Sequence, residues 1–62
     1  MDIGERIKEA RVEKGLSQVQ LAKAIGHRSP AALSKWESGK VKPERDTLRL
    51  LAGVLDKPIG WF

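Results

Sequence analysis

Gly15-Leu16-Ser17-Gln18-Val19-Gln20-Leu21-Ala22-Lys23-Ala24-Ile25-Gly26-His27-Arg28-Ser29-Pro30-Ala31-Ala32-Leu33-Ser34-Lys35-Trp36-Glu37-Ser38-Gly39 is the stretch that sets the architecture. Ser17 is placed to cap a helix beginning at Gln18, and Gln20 completes an S-x-x-Q capping box. Leu21, Ala22 and Ile25 then share one helical face, and Gly26 stops the run near residue 25. A second helix, over residues 29–38, opens with Ser29 as N-cap. Pro30 takes its first position, where a missing N–H is no loss. Leu33 and Trp36, three apart, turn to the core, and Gly39 closes the helix. Ala22 lets the two helices cross closely, and Ile25, Leu33 and Trp36 fill the wedge between them. The tight turn at Gly26 leaves the start of the second helix clear of the body.

Reading outward, Asp2 caps a first helix over residues 2–14, with Glu5 in the capping-box position. Ile3, Ile7 and Ala10 form its apolar stripe, and Gly15 ends it. After Pro43 a fourth helix runs over residues 45–55, burying Leu48, Leu51, Ala52 and Leu55. A short fifth helix or turn starts near Pro58 and ends in Trp61-Phe62, which are expected to pack inside or to serve a dimer surface. No segment has the alternating pattern of a strand. The expected fold is all-α, with five short helices. Residues 1–62 form one domain, expected to be the N-terminal part of a longer protein because the chain stops on two aromatics without a polar tail.

Composition narrows the function. A chain of 62 residues buries only about 60% of its unfolded surface and leans on local packing. There is no cysteine, so disulfides and thiolate metal sites are out, and the lone His27 makes no metal site by itself. No cofactor is expected. No apolar run is long enough to span a bilayer. Four serines and one histidine stand at no triad spacing, and no glycine-rich phosphate loop is present, so an enzyme is not expected. The net charge is +4, and its location is informative. Residues 1–14 balance Arg6, Lys8, Arg11 and Lys14 against Asp2, Glu5, Glu9 and Glu13. Residues 43–62 balance Arg45, Arg49 and Lys57 against Glu44, Asp46 and Asp56. Residues 15–42 carry Lys23, Arg28, Lys35, Lys40 and Lys42 against Glu37 alone, so the whole excess lies there. A localised basic surface is suited to phosphate, although the same charge also fits a merely solvated face.

The set Gly15-Leu16-Ser17-Gln18, Leu21-Ala22, Ile25-Gly26 and Ser34-Lys35-Trp36-Glu37-Ser38-Gly39-Lys40 resembles the phage-repressor and Cro-type helix-turn-helix family, the XRE group. Lys42-Pro43, Thr47-Leu48, Leu51-Ala52 and Ile59-Gly60-Trp61-Phe62 resemble its later helices, so the likeness covers nearly the whole chain. It implies a lambda-repressor-like domain whose helix-turn-helix spans residues 17–38. It further implies a transcription regulator, commonly a repressor, that works in the cytoplasm of a bacterium or phage-infected cell, at the nucleoid. Three departures stand out. His27-Arg28-Ser29 lengthens the turn by one residue, Arg45 replaces an often apolar residue, and Asp56 stands where glycine is common.

On this reading the partner is double-stranded DNA with a near-palindromic operator, bound by a homodimer that forms only on DNA or before it. Pro30, Ala31, Ser34 and Lys35 face the major groove, with Arg28 close to the bases. Pro30 and Ala31 offer only apolar contact, for instance to a thymine methyl, while Lys35 reaches guanine or phosphate. DNA shape supplies part of the specificity. Ser17, Gln18, Ser38, Lys40 and Lys42 contact phosphates, the backbone N–H groups of Ser38 and Lys40 among them, and Arg45 or Lys42 approaches the minor groove. Trp36 belongs to the core by its spacing from Leu33, and His27 is a solvated residue. The resemblance also implies a buried ion pair between Arg11 and Glu37, with Arg6 left on a mixed charged face. The competing reading is a protein-interaction or antitoxin module that keeps the fold and has lost DNA binding. The weak base-reading set favours that reading and the basic segment opposes it.

Overall fold

The Asp2 carboxylate accepts the Glu5 N–H at 2.8 Å and starts α1, Ile3–Glu13. The computed structural model describes residues 2–26 and 29–62. At the other end of α1, Gly15 (φ +74°) lets the Leu16 N–H return to Arg11 O at 3.1 Å and the Gly15 N–H to Val12 O at 3.0 Å. This pair of bonds is a Schellman closure. It drops Leu16 onto the core and delivers the chain to Ser17. Both halves of the Ser17–Gln20 capping box form, at 2.8 and 3.0 Å, and α2 runs Gln18–Ala24.

The third helix, α3, is Ala31–Glu37, one residue shorter at its start than the sequence suggests. Pro30 occupies the cap position, but the Ser29 hydroxyl still accepts the Ala31 N–H at 3.2 Å. That is the capping bond expected of Ser29, with the helix assigned from one residue later. His27 and Arg28 lie outside the described residues.

Helix α4 is Arg45–Leu55. Asp56 ends it in the left-handed region (φ 59°, ψ 43°), and the Lys57 N–H bonds Ala52 O at 3.0 Å. The residue standing where glycine is common therefore does glycine's job, and aspartate is among the few side chains that tolerate this backbone. The fifth expected helix is a single 3-10 turn, Ile59–Trp61. Among the described residues the fold is four α-helices and this turn, with no strand.

Ile7, Ala10, Leu21, Ala22, Ile25, Leu33, Trp36, Leu51 and Leu55 form one buried cluster, joined by half-buried Ile3, Leu16, Leu48, Trp61 and Phe62. Trp61 meets Phe62 edge-on at 5.2 Å. Arg6 lies 4.7 Å and Lys57 4.9 Å from the Trp61 ring centre. Arg6 is thus not on a free charged face: its guanidinium pins the chain end to α1, a contact worth about 0.5–1 kcal/mol.

The tightest helix contact falls at Gly4, which is buried. A Cβ there would overlap the Trp36 carbonyl oxygen and lie 2.9 Å from that of Glu37. Both obstacles are backbone, so neither can swing away. Gly→Ala inside a helix normally gains about 0.5–1 kcal/mol. Here α1 must instead lift off the end of α3, and Gly4→Ala is expected to lose about 1–3 kcal/mol in a urea or thermal melt. A melt showing stabilisation would mean that α1 is not seated against α3.

Candidate nucleic-acid interface

Burying Leu33 and Trp36 fixes the roll of α3 about its axis. Ala31, Ser34, Lys35 and Ser38 then fall at i, i+3, i+4 and i+7, and all four are exposed. Pro30, just ahead of them, is half-buried. This stripe carries one ammonium, two hydroxyls and apolar surface. The Ser38 hydroxyl turns back to Lys35 O at 3.1 Å, closing the helix rather than pointing outward.

The end of α3 repeats the closure seen after α1. With Gly39 at φ +83°, the Gly39 N–H reaches Trp36 O at 3.2 Å and the Lys40 N–H reaches Lys35 O at 3.0 Å. The Ser38 N–H bonds Ser34 O at 3.0 Å. The expectation that the Ser38 and Lys40 backbone N–H groups serve a phosphate is therefore corrected. Both are committed inside the chain, because a helix that ends on a left-handed glycine uses these donors to satisfy its own last carbonyls. What the segment presents outward is the exposed Lys40 and Lys42 side chains.

The start of α2 is brought against the end of α3. Glu37 leaves the last turn of α3 and turns inward, with its side chain only 5% exposed. Arg11 Nε donates to Glu37 Oε2 at 2.7 Å and Nη2 to Oε1 at 3.1 Å, a bidentate pair. Arg11 Nη1 donates to Leu16 O at 2.8 Å, directly before the α2 cap. Gln18 Nε2 donates to Glu37 Oε1 at 3.3 Å. The Arg11–Glu37 pair thus holds together α1, the α1–α2 turn, the first residue of α2 and the last of α3. The first residue of α2 thus meets the last residue of α3, although the two are 19 apart in sequence. The Gln18 bond escaped sequence reading, since nothing in a 19-residue separation announces it. Arg28, expected near the bases, lies outside the described residues. Among the described residues, no buried side-chain N or O atom lacks a partner and no cluster of metal-ligating side chains is found. No described helix is long and apolar enough to cross a membrane.

The family model described as "Helix-turn-helix" matches residues 7–62. A relative in Enterococcus faecalis, the HTH-type transcriptional activator BcrR, is 38% identical over 52 residues, which is 84% of this chain and 25% of the relative. The chain thus spans only about a quarter of that protein. The P22 c2 repressor, solved in complex with a synthetic operator, superposes with a TM-score of 0.91 at 30% identity, covering 98% of this chain and 91% of the repressor. SinR, a master regulator for biofilm formation solved in complex with DNA, superposes with a TM-score of 0.87 at 35% identity, covering 95% and 94%.

Proposed function

The chain belongs to the helix-turn-helix family of the phage-repressor type, and on that premise we propose that it is the sequence-specific DNA-binding domain of a transcription regulator, with α3 in the major groove. The observation that carries this reading is the arrangement around α3. Ala31, Ser34 and Lys35 form an exposed stripe on α3, Gln18 at the start of α2 bonds Glu37 at the end of α3, and exposed Lys40 and Lys42 follow directly, all in the segment that holds the entire net charge. Flanking donors fix the protein on the backbone while the stripe meets base edges. Seated across a promoter, such a domain would repress by excluding polymerase. The setting is the cytoplasm of a bacterium or phage-infected cell.

A helix of seven residues is about 10 Å long and covers too few base pairs to select one genomic site. The domain therefore acts as a symmetric pair on a near-palindromic operator, with half-sites about 34–36 Å apart. Selection from random duplex DNA at low salt is expected to return a dyad-symmetric consensus at that spacing. A consensus without a dyad would remove the paired arrangement. Failure to retard any duplex at low salt would assign the chain to the protein-interaction class instead.

Lys35 and Lys40 separate the two kinds of contact. Lys35→Ala is expected to relax preference at one base pair per half-site, by about 1–3 kcal/mol. Lys40→Ala is expected to weaken all duplexes alike. A consensus altered by Lys40→Ala and untouched by Lys35→Ala would reverse the orientation of α3.

A further inference from the structure

We propose that Glu37 is a positioning residue for DNA-backbone binding, holding the Gln18 side-chain amide nitrogen-inward so that its second N–H is left as a fixed donor to one phosphate. The inference rests on the reading that the start of α2 faces the DNA backbone. A free glutamine amide flips between its donor and acceptor ends, and toward an anion only the donor end is useful. Gln18 does not have that freedom. Its nitrogen lies 3.3 Å from Glu37 Oε1, and a carboxylate offers only acceptors, so the amide oxygen cannot take that place. The carboxylate is immobilised in turn by the bidentate Arg11 pair. The Gln18 nitrogen carries two hydrogens, and Glu37 uses one. The other points away from the carboxylate on a residue that is half-buried and next to exposed Ser17.

This arrangement also explains how an acid is tolerated among five bases. Glu37 does not oppose the phosphate. It is neutralised from behind by Arg11 and serves to orient the amide that meets the phosphate.

The test uses a duplex carrying the selected operator and versions in which single phosphates are replaced by uncharged methylphosphonates. For the unmodified protein, one replacement per half-site is expected to weaken binding about tenfold. Gln18→Ala is expected to lose about tenfold on the ordinary duplex and to become indifferent to that replacement. Glu37→Gln, read at a temperature where Trp fluorescence shows it folded, is expected to lose most of the sensitivity too, because an amide partner no longer dictates the flip. A Glu37 with only a structural role would lower every duplex alike and keep the penalty, which would overturn the proposal. The free wild-type protein provides a second reading that needs no variant. One of the two Gln18 side-chain amide protons should exchange slowly, and the other should shift in the NMR spectrum when DNA is added. Two equivalent, freely exchanging protons would overturn it. Absence of DNA binding by the wild-type protein fails the proposed function itself, whereas binding that ignores Gln18→Ala fails only this inference.

Discussion

Raising monovalent salt from about 50 to 200 mM is expected to weaken operator binding about 10,000-fold. Each phosphate neutralised on B-DNA releases condensed counterions, giving a log–log slope of about −0.9 per contact. A pair of domains neutralising about eight phosphates then has a slope near −7, and a fourfold rise in salt acts to that power. The cations come from residues 15–42, where five bases face one acid. The structure sharpens this estimate in two ways. Glu37, that one acid, is 5% exposed and paired with Arg11, so it subtracts little from the field seen by a phosphate. The Ser38 and Lys40 N–H groups are used within the chain, which leaves the backbone contacts at this end to ammonium groups, the kind that releases counterions. Titrations at several salt concentrations give the slope directly. A slope shallower than about −2 would remove the backbone-contact account, whatever the consensus sequence proved to be.

Sequence reading reached furthest where local chemistry decides the outcome. Ser17-x-x-Gln20 is a capping box because two side chains three apart complete a helix start without help from the rest of the chain. Leu33 and Trp36 at one spacing fix which face of α3 turns inward, and the exposed stripe follows from that. What stayed hidden depends on elements distant in sequence. Gly4 reads as an unremarkable early-helix glycine until the end of α3 is set against it. Arg6 reads as a surface charge until the last turn brings Trp61 beneath it. The bond from Gln18 to Glu37 needs α2 and α3 both in place, and neither residue type predicts it. The Ser38 and Lys40 amides are a more instructive case. Gly39 marks the end of the helix in the sequence, but a left-handed end consumes those N–H groups. The same feature that signals the loop removes them from service.

Arg11→Ala is expected to lose about 3–5 kcal/mol of folding stability, because removing one member of a buried ion pair strands the other. The structure orders the two single changes. Without Arg11, the Glu37 carboxylate, 5% exposed, retains only the 3.3 Å bond from Gln18. Without Glu37, Arg11, whose side chain is already 13% exposed in the intact protein, keeps its bond to Leu16 O at 2.8 Å. Arg11→Ala should therefore be the worse of the two, and Glu37→Ala the milder. A domain of this size has only about 3–9 kcal/mol in total, so either change should unfold much of the population at 37 °C. Arg11→Lys keeps the charge but not the planar fork that serves Glu37 and Leu16 together, and should fall between wild type and Arg11→Ala. Two controls bound the effect. Exposed Lys8→Ala should be nearly neutral, and Arg6→Ala should lose only the contact with Trp61, about 0.5–1 kcal/mol. The decisive measurement is the double change Arg11→Met with Glu37→Leu. Replacing both charges by apolar groups leaves none stranded, so the double variant should melt above either single alanine variant. A coupling energy near zero in that cycle would show that the pair does not hold α1 to α3. The packing of Gly4 against the end of α3 would then have to do so alone.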